Sequence, residues 1–197
     1  MNCRLDQGWF ADPGPPRHDP GGKVSTALPK GVTGAAEYYG DKEQYRLWLR
    51  RLWDAGDHAS PYLLWIGMNP STATAEVNDP TVTRIIGFSK SWGYSHAVIC
   101  NVMDYRATHP NDLLAVTPRS DRNMETILRF AHHADKIIMC HGILAPAKTL
   151  AHYGDEAKQA LIDAGYLSRM FCLGKTLLKK PKHPLFLAGD TKLEPYP

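Results

Sequence analysis

Several side chains capable of polar chemistry stand where apolar runs end. Tyr62–Ile66 is a run of strand-forming residues that breaks at Gly67 and delivers Asn69, Pro70 and then small hydroxyl and acidic residues as far as Asp79. Ala97–Val102 is apolar apart from Asn101, and Lys136–Cys140 runs into His141. A loop carrying Lys179, Lys180 and Lys182 leads to His183-Pro184. Asn69 is an amide and takes up no proton near neutral pH, so it is no general base; its carbonyl oxygen can orient a water, or the residue caps a turn before Pro70. Asp79 is either a carboxylate base or the N-cap of a helix that Pro80 opens. Asn101 offers a donor and an acceptor side by side; it reads a ligand's edge or bonds backbone in the core, since a buried amide must bond something. His183 as a neutral imidazole can donate to developing negative charge; its alternative is a structural or surface role.

Strands and helices must bring these residues together. The residues Tyr45, Trp48, Leu49, Leu52 and Trp53 fit helical spacing better than alternation and predict a helix over 45–53. Strands are expected at 62–68, 97–102, 136–140 and 169–173, the second apolar but for Asn101, as for a strand covered on both faces. Helices are expected from Pro80 to Gly93, from Ser120 to His133 and from Pro146 to Ala164. Alternating strands and helices imply parallel pairing with right-handed crossovers. The expected fold is α/β: a three-layer α/β/α sandwich on a central, mainly parallel sheet of about four strands. In that topology Asn69, Asn101, His141 and the loop to His183 share one rim, where open α/β sheets bind ligands.

The bulk properties exclude several classes. Residues 1–34 are rich in Pro and Gly and read as an extension, leaving 35–197 as a single domain. A net charge of +3 permits a nucleic-acid partner without demanding one. Cys3, Cys100, Cys140 and Cys172 lie far apart, which suggests reduced, mostly buried thiols and no zinc site. No signal peptide or bilayer-length apolar run is legible, so a cytoplasmic protein without membrane contact is expected.

The motifs themselves resemble known ones. Gly67-Met-Asn-Pro70 resembles the first active-site motif of the uracil-DNA glycosylase superfamily. Val98-Ile-Cys-Asn-Val102 with Tyr105-Arg106 and Pro110-Asn111 resembles that superfamily's base-recognition strand, and His183-Pro184 its second active-site motif, usually His-Pro-Ser. More closely, Asn69-Pro-Ser-Thr-Ala73, Asp79-Pro-Thr81, Trp92-Gly-Tyr94, Tyr105-Arg-Ala-Thr108 and His183-Pro-Leu185 resemble a bacterial and phage family known only as a domain of unknown function. The chain departs from the glycosylase pattern in three respects. Leu185 replaces the serine, the iron–sulfur branch's cysteines are absent, and Asn69 stands where the best-known branch has its water-activating aspartate.

The resemblance implies a uracil-DNA glycosylase-like fold and recognition of a nucleobase, with hydrolysis of its N-glycosidic bond in DNA or a nucleotide. Asn69, His183 and Asp79 are then catalytic. Gly67, Met68, Asn101, Phe88 and His141 hold the base. Ser71, Arg106, Lys180 and Lys182 meet phosphate, and Leu185 wedges into the base stack. No cofactor or metal is expected. The expected partner is DNA or a nucleotide carrying a modified or deaminated base, bound by a monomer. A non-excising binder of nucleic acid or nucleotides, or a phage-type base-modification enzyme using the same pocket, are the alternatives.

Overall fold

The computed structural model describes residues 18–22, 24–53, 60–143 and 148–197. Nine strands are found among them: β1 Thr26–Ala27, β2 Thr33–Tyr39, β3 Tyr45–Leu52, β4 Leu63–Gly67, β5 Val77–Asn78, β6 His96–Asn101, β7 Lys136–Met139, β8 Met170–Cys172 and β9 Glu194–Pro195. Three α-helices accompany them, α1 Pro80–Ser91, α2 Asn123–His133 and α3 His152–Asp163. Seven strands form one mixed sheet in the order β2-β3-β6-β4-β7-β8-β9. The four strands expected from the sequence are its centre, and β6, β4, β7 and β8 run parallel to one another. Antiparallel β2 and β3 extend one side and β9 the other, so the sheet exceeds the expected four strands. A separate two-stranded ribbon pairs β1 with β5.

Period-two alternation decides what each face of the sheet buries. Leu63 and Trp65 of β4 point toward α1, where they meet Val82, Ile85, Ile86 and Phe88. Leu64 and Ile66 point the other way, into a cluster with Ile127 and Ala131 of α2 and Ala157 and Leu161 of α3. The chain passes from β4 to β6 by way of α1, and from β6 across β4 to β7 by way of α2. Strand order therefore reverses at β4, and the crevice beyond its carboxyl end is where such sheets hold ligands.

The segment 45–53 corrects the sequence reading, because Tyr45–Leu52 is a strand and not a helix. It pairs with β2 on one side and β6 on the other. Sheet packing outweighs the helical spacing. Alternation was hidden because both faces are covered and two arginines, Arg46 and Arg51, are themselves buried. A β-bulge adds to the concealment: Trp48 pairs with Glu37 and Arg46 with Tyr38, leaving Leu47 as the extra residue.

The helix start at Asp79 is as expected. Its carboxylate accepts from the Val82 N–H at 2.8 Å, Pro80 follows, and Gly93 at φ +81° ends the helix in a conformation natural to glycine. α2 and α3 begin later than expected, at Asn123 and His152; positions 146 and 147 lie outside the described residues. The described part of the Pro/Gly-rich stretch is tied down. Its His18 donates to the Arg106 carbonyl and packs edge-on against Tyr105. Cys100, Cys140 and Cys172 are buried free thiols; Cys3 is outside the described residues.

Trp65 anchors the α1 face. It is fully buried, stacks on Trp92 with ring centroids 5.7 Å apart, and donates its indole N–H to Ser89 Oγ at 3.1 Å. Trp65→Ala is expected to cost about 3–5 kcal/mol in urea unfolding; a loss below ~1 kcal/mol would contradict the anchoring role.

Candidate functional site

The loops after β4 and β6 stay zipped together beyond the strands. Val102 N–H donates to the Gly67 carbonyl at 2.9 Å, Met103 N–H to Met68 at 3.0 Å, and Ala107 N–H to Pro70 at 2.9 Å. Between these loops, the first turn of α1 and the His183-Pro184 turn lies a cavity of about 210 Å³. That is below the ~300–1,000 Å³ typical of drug-sized ligands, so it suits a single small ring system. Gly67, Met68, Asn69, Ser71, Asp79, Asn101 and His183 all line it. Val82, Ile85, Ile99 and Cys140 supply an apolar wall.

Asn101 and Gly67 face each other across the parallel pair β4–β6. A Cβ on Gly67 would lie 2.8 Å from Asn101 Oδ1, so only glycine leaves room for the amide. Asn101 is 3% exposed, and its Nδ2 has no hydrogen-bond partner among the described residues. An unmade bond on a buried amide costs about 1–3 kcal/mol. The Asn101 backbone carbonyl is held separately by Asn123 Nδ2 at 3.0 Å.

Asn69 is oriented by its own amide nitrogen, which donates to the carbonyls of Ala107 at 2.6 Å and Pro70 at 3.0 Å. Those bonds fix which way the side chain faces and leave Oδ1 as the free acceptor among the described residues. Asp79 lines the cavity while one of its oxygens caps α1, as the N-cap reading expects. His183 Nδ1 accepts from the Leu185 N–H at 3.3 Å, which places the ring proton on Nε2. Burial holds the His183 pKa below the ordinary histidine value, with Asp79 opposing the shift, so the ring is a neutral N–H donor at neutral pH. The turn is fixed from α1, since the Arg84 guanidinium donates to the Leu187 carbonyl.

Other expected site residues lie elsewhere. Phe88 is 2% exposed, packed with Trp65 and Trp92 and covered by the Arg84 guanidinium at 4.9 Å. His141 is buried against Gly154 of α3, with Nδ1 donating to the Gly142 carbonyl at 2.9 Å. Arg106 turns inward, donating from Nη1 to the carbonyls of Glu43 and His18 with its guanidinium over Tyr38. Lys180 is paired with Asp155, and the Lys182 side chain lies along Gly174. Leu185 is half-buried, whereas Phe186 beside it is 86% exposed, and Leu177 and Leu178 are exposed on the preceding loop.

Sequence reasoning missed Arg46, Thr81, Thr108 and Pro110, which also line the cavity. Thr81 and Thr108 belong to motifs already noted but carry no distinctive chemistry; Thr108 Oγ1 meets Ser71 Oγ at 3.0 Å. Arg46 was hidden by the mistaken helix. A larger groove of about 830 Å³ opens at the opposite end of the parallel strands, beside Trp48, Tyr62, Arg129 and Phe130. Several of its polar groups bond one another or backbone: Trp48 and Arg129 both bond Glu37, and Tyr62 donates to the Phe130 carbonyl. The smaller cavity is lined by Arg46 and Asn101, each with a buried polar atom lacking a partner among the described residues, and is the candidate site.

A family model described as "Protein of unknown function (DUF1643)" matches residues 46–185. The chain belongs to the DUF1643 family. No curated protein and no solved structure matches it. The DUF1643 span runs from Arg46 through His183 and so contains every residue that lines the cavity. Among the described residues no group of three His, Cys, Asp or Glu could hold a metal ion, and no helix is long and apolar enough to cross a membrane.

Two measurements probe this geometry. Gly67→Ala drives a methyl into the Asn101 amide; it is expected to cost roughly 1–3 kcal/mol and to shift the Asn101 side-chain amide NMR signals. Unchanged stability and signals would refute the close approach. Burial pushes the His141 pKa down to about 4. A folded pKa below the unfolded value of ~6.5 means that stability is full above that pH and is lost as pH falls toward 4, by on the order of 3 kcal/mol. His141→Asn should flatten this acid limb in urea titrations at pH 7 and pH ~4.5; parallel losses in variant and parent would show that another group dominates.

Proposed function

We propose that this DUF1643 protein binds a single nucleobase in the cavity and hydrolyses its N-glycosidic bond, as a uracil-DNA glycosylase-like enzyme acting on DNA or a nucleotide. The observation that carries the reading is the convergence of Asn69, Asp79, Asn101 and His183 on one small cavity, with the Asn101 Nδ2 buried and unpartnered. A base taken out of its stack is read through hydrogen bonds to its pairing edge, and an amide at the end of a buried strand offers that contact. The cavity's size suits one base, with the sugar left at the mouth. Helices on both faces of the parallel sheet core accord with the resemblance in fold.

In this reading Asn69 Oδ1 positions a water below the sugar's C1′ carbon. The bond from C1′ to the base nitrogen breaks, its electron pair leaves with the base, and the water oxygen bonds C1′. Asp79, through the carboxylate oxygen not used on Val82, accepts the water's proton. The His183 Nε2–H donates to a base carbonyl as negative charge develops there. Asn101 grips the base edge throughout. A second reading, a binder that does not excise, is favoured by one fact: the Asp79 carboxylate is partly committed to capping α1.

Incubating the protein with duplex and single-stranded DNA carrying deaminated or otherwise modified bases, and assaying free base, separates the two. Release of base that Asn69→Ala abolishes, with only modest loss of binding, supports hydrolysis. Asn101→Ala should lower base selectivity by about 1–3 kcal/mol, the worth of an amide–base pair of bonds. Binding without release selects the second reading. A folded protein that neither binds nor cleaves any such substrate refutes both.

A further inference from the structure

The cavity lining includes a buried cation, Arg46, that forms no ion pair with a carboxylate among the described residues. Arg46 is 2% exposed and lines the cavity. Its Nη1 donates to the Ala73 carbonyl at 2.7 Å, and its Nε is buried with no partner among the described residues. Among the described residues no carboxylate lies within ion-pair distance of it. Asp79 acts on it from further away, and Arg106 repels it.

Arg51 on the same strand shows what a purely structural buried arginine looks like here. Its Nε donates to Asn78 Oδ1 at 2.7 Å, and its terminal nitrogens bond the carbonyls of Arg50, Thr74 and Val77. Arg106 also has an unpartnered Nε, but its guanidinium rests on the Tyr38 ring, away from the cavity lining. Of these three arginines, Arg46 alone both lines the cavity and keeps a guanidinium nitrogen without a partner among the described residues. Burying a charge without a counter-ion is costly, so the open donors mark where an anion or strong acceptor belongs.

The backbone has been arranged to put it there. Leu49 packs on the α1 side of the sheet and Trp48 on the α2 side. Strict alternation would send Arg46 to the Trp48 side. The bulge at Leu47 adds one residue and turns Arg46 to the α1 side, into the cavity.

Resting on the nucleobase reading of this cavity, we infer that its ligand is a base carrying negative charge at the edge held by Arg46 and Asn101, either an acidic ring or a ring with an anionic substituent. The donors there, the Arg46 guanidinium and Asn101 Nδ2, want acceptors. An amino group on that edge sets N–H against N–H and is rejected. Burial lowers the Arg46 pKa from its ordinary value, yet an arginine so far above neutrality keeps its charge.

Titration calorimetry of the full chain at one neutral pH tests this with cytosine, uracil, 5-nitrouracil and 5-carboxyuracil, and inorganic phosphate as a control. The last two bases are ionised at neutral pH. Affinity is expected to rise from uracil to the ionised bases by on the order of tenfold, as charge-assisted bonds exceed neutral ones, with cytosine weakest. Arg46→Gln should erase the gain and Arg46→Lys should keep part of it, both checked for folding by thermal melts. The ligand series on the unmodified protein decides the matter even if a variant fails to fold. Equal affinity for uracil and the ionised bases overturns the charge inference while leaving the nucleobase reading intact. Phosphate binding as tightly as the bases also overturns it, and absence of binding by any base removes the nucleobase reading and this inference together.

Discussion

The contact between Gly67 and Asn101 is the constraint on which the site depends. Parallel β4 and β6 bring their last residues side by side, and only the missing side chain of Gly67 lets the Asn101 amide lie across the strand end. Beyond that point backbone bonds continue the zip through Met68 and Pro70, which fixes the loop carrying Asn69. Asn69 returns the favour by donating to the Ala107 carbonyl, so the two loops form one rigid wall. A side chain at position 67 would disturb every later part of this arrangement.

The opposite wall depends on α1. Its N-cap is a carboxylate that serves the helix through one oxygen and faces the cavity with the residue as a whole. The same helix holds the His183 turn through Arg84, and that turn's own backbone chooses the imidazole tautomer. Helix capping and ring orientation are thus ordinary structural devices that place a carboxylate and an N–H donor where a polar reaction can use them.

Two arginines on β3 divide labour by the number of partners each finds. Arg51 is saturated and ties β3 to the ribbon strand β5 and the loop before it. Arg46 is re-aimed by the bulge and left with open donors at the cavity. The difference between a structural and a ligand-facing cation here comes from one extra residue in a strand and not from residue type.

How much was legible follows from the range of the forces involved. Local signals were readable: four apolar strands, the Asp79-Pro80 helix start, the stop at Gly93, and polar residues at strand ends. These depend on neighbours in sequence, and the parallel topology then implied that Asn69, Asn101 and His183 share a rim. The outer antiparallel strands were not readable, because β3 and β9 depend on β6 and β8, distant in sequence, and β2 is held only by its hairpin with β3. The same holds for His141, seated against Gly154 of α3, and for Arg106, taken up by the carbonyls of His18 and Glu43. By itself the sequence determined the parallel core and the identity of its polar strand ends, since side-chain period and capping act locally. Tertiary structure alone decided which polar groups remain unsatisfied, because burial and hydrogen-bond partnership are properties of the packed chain; that is why Arg46 emerged only with the fold.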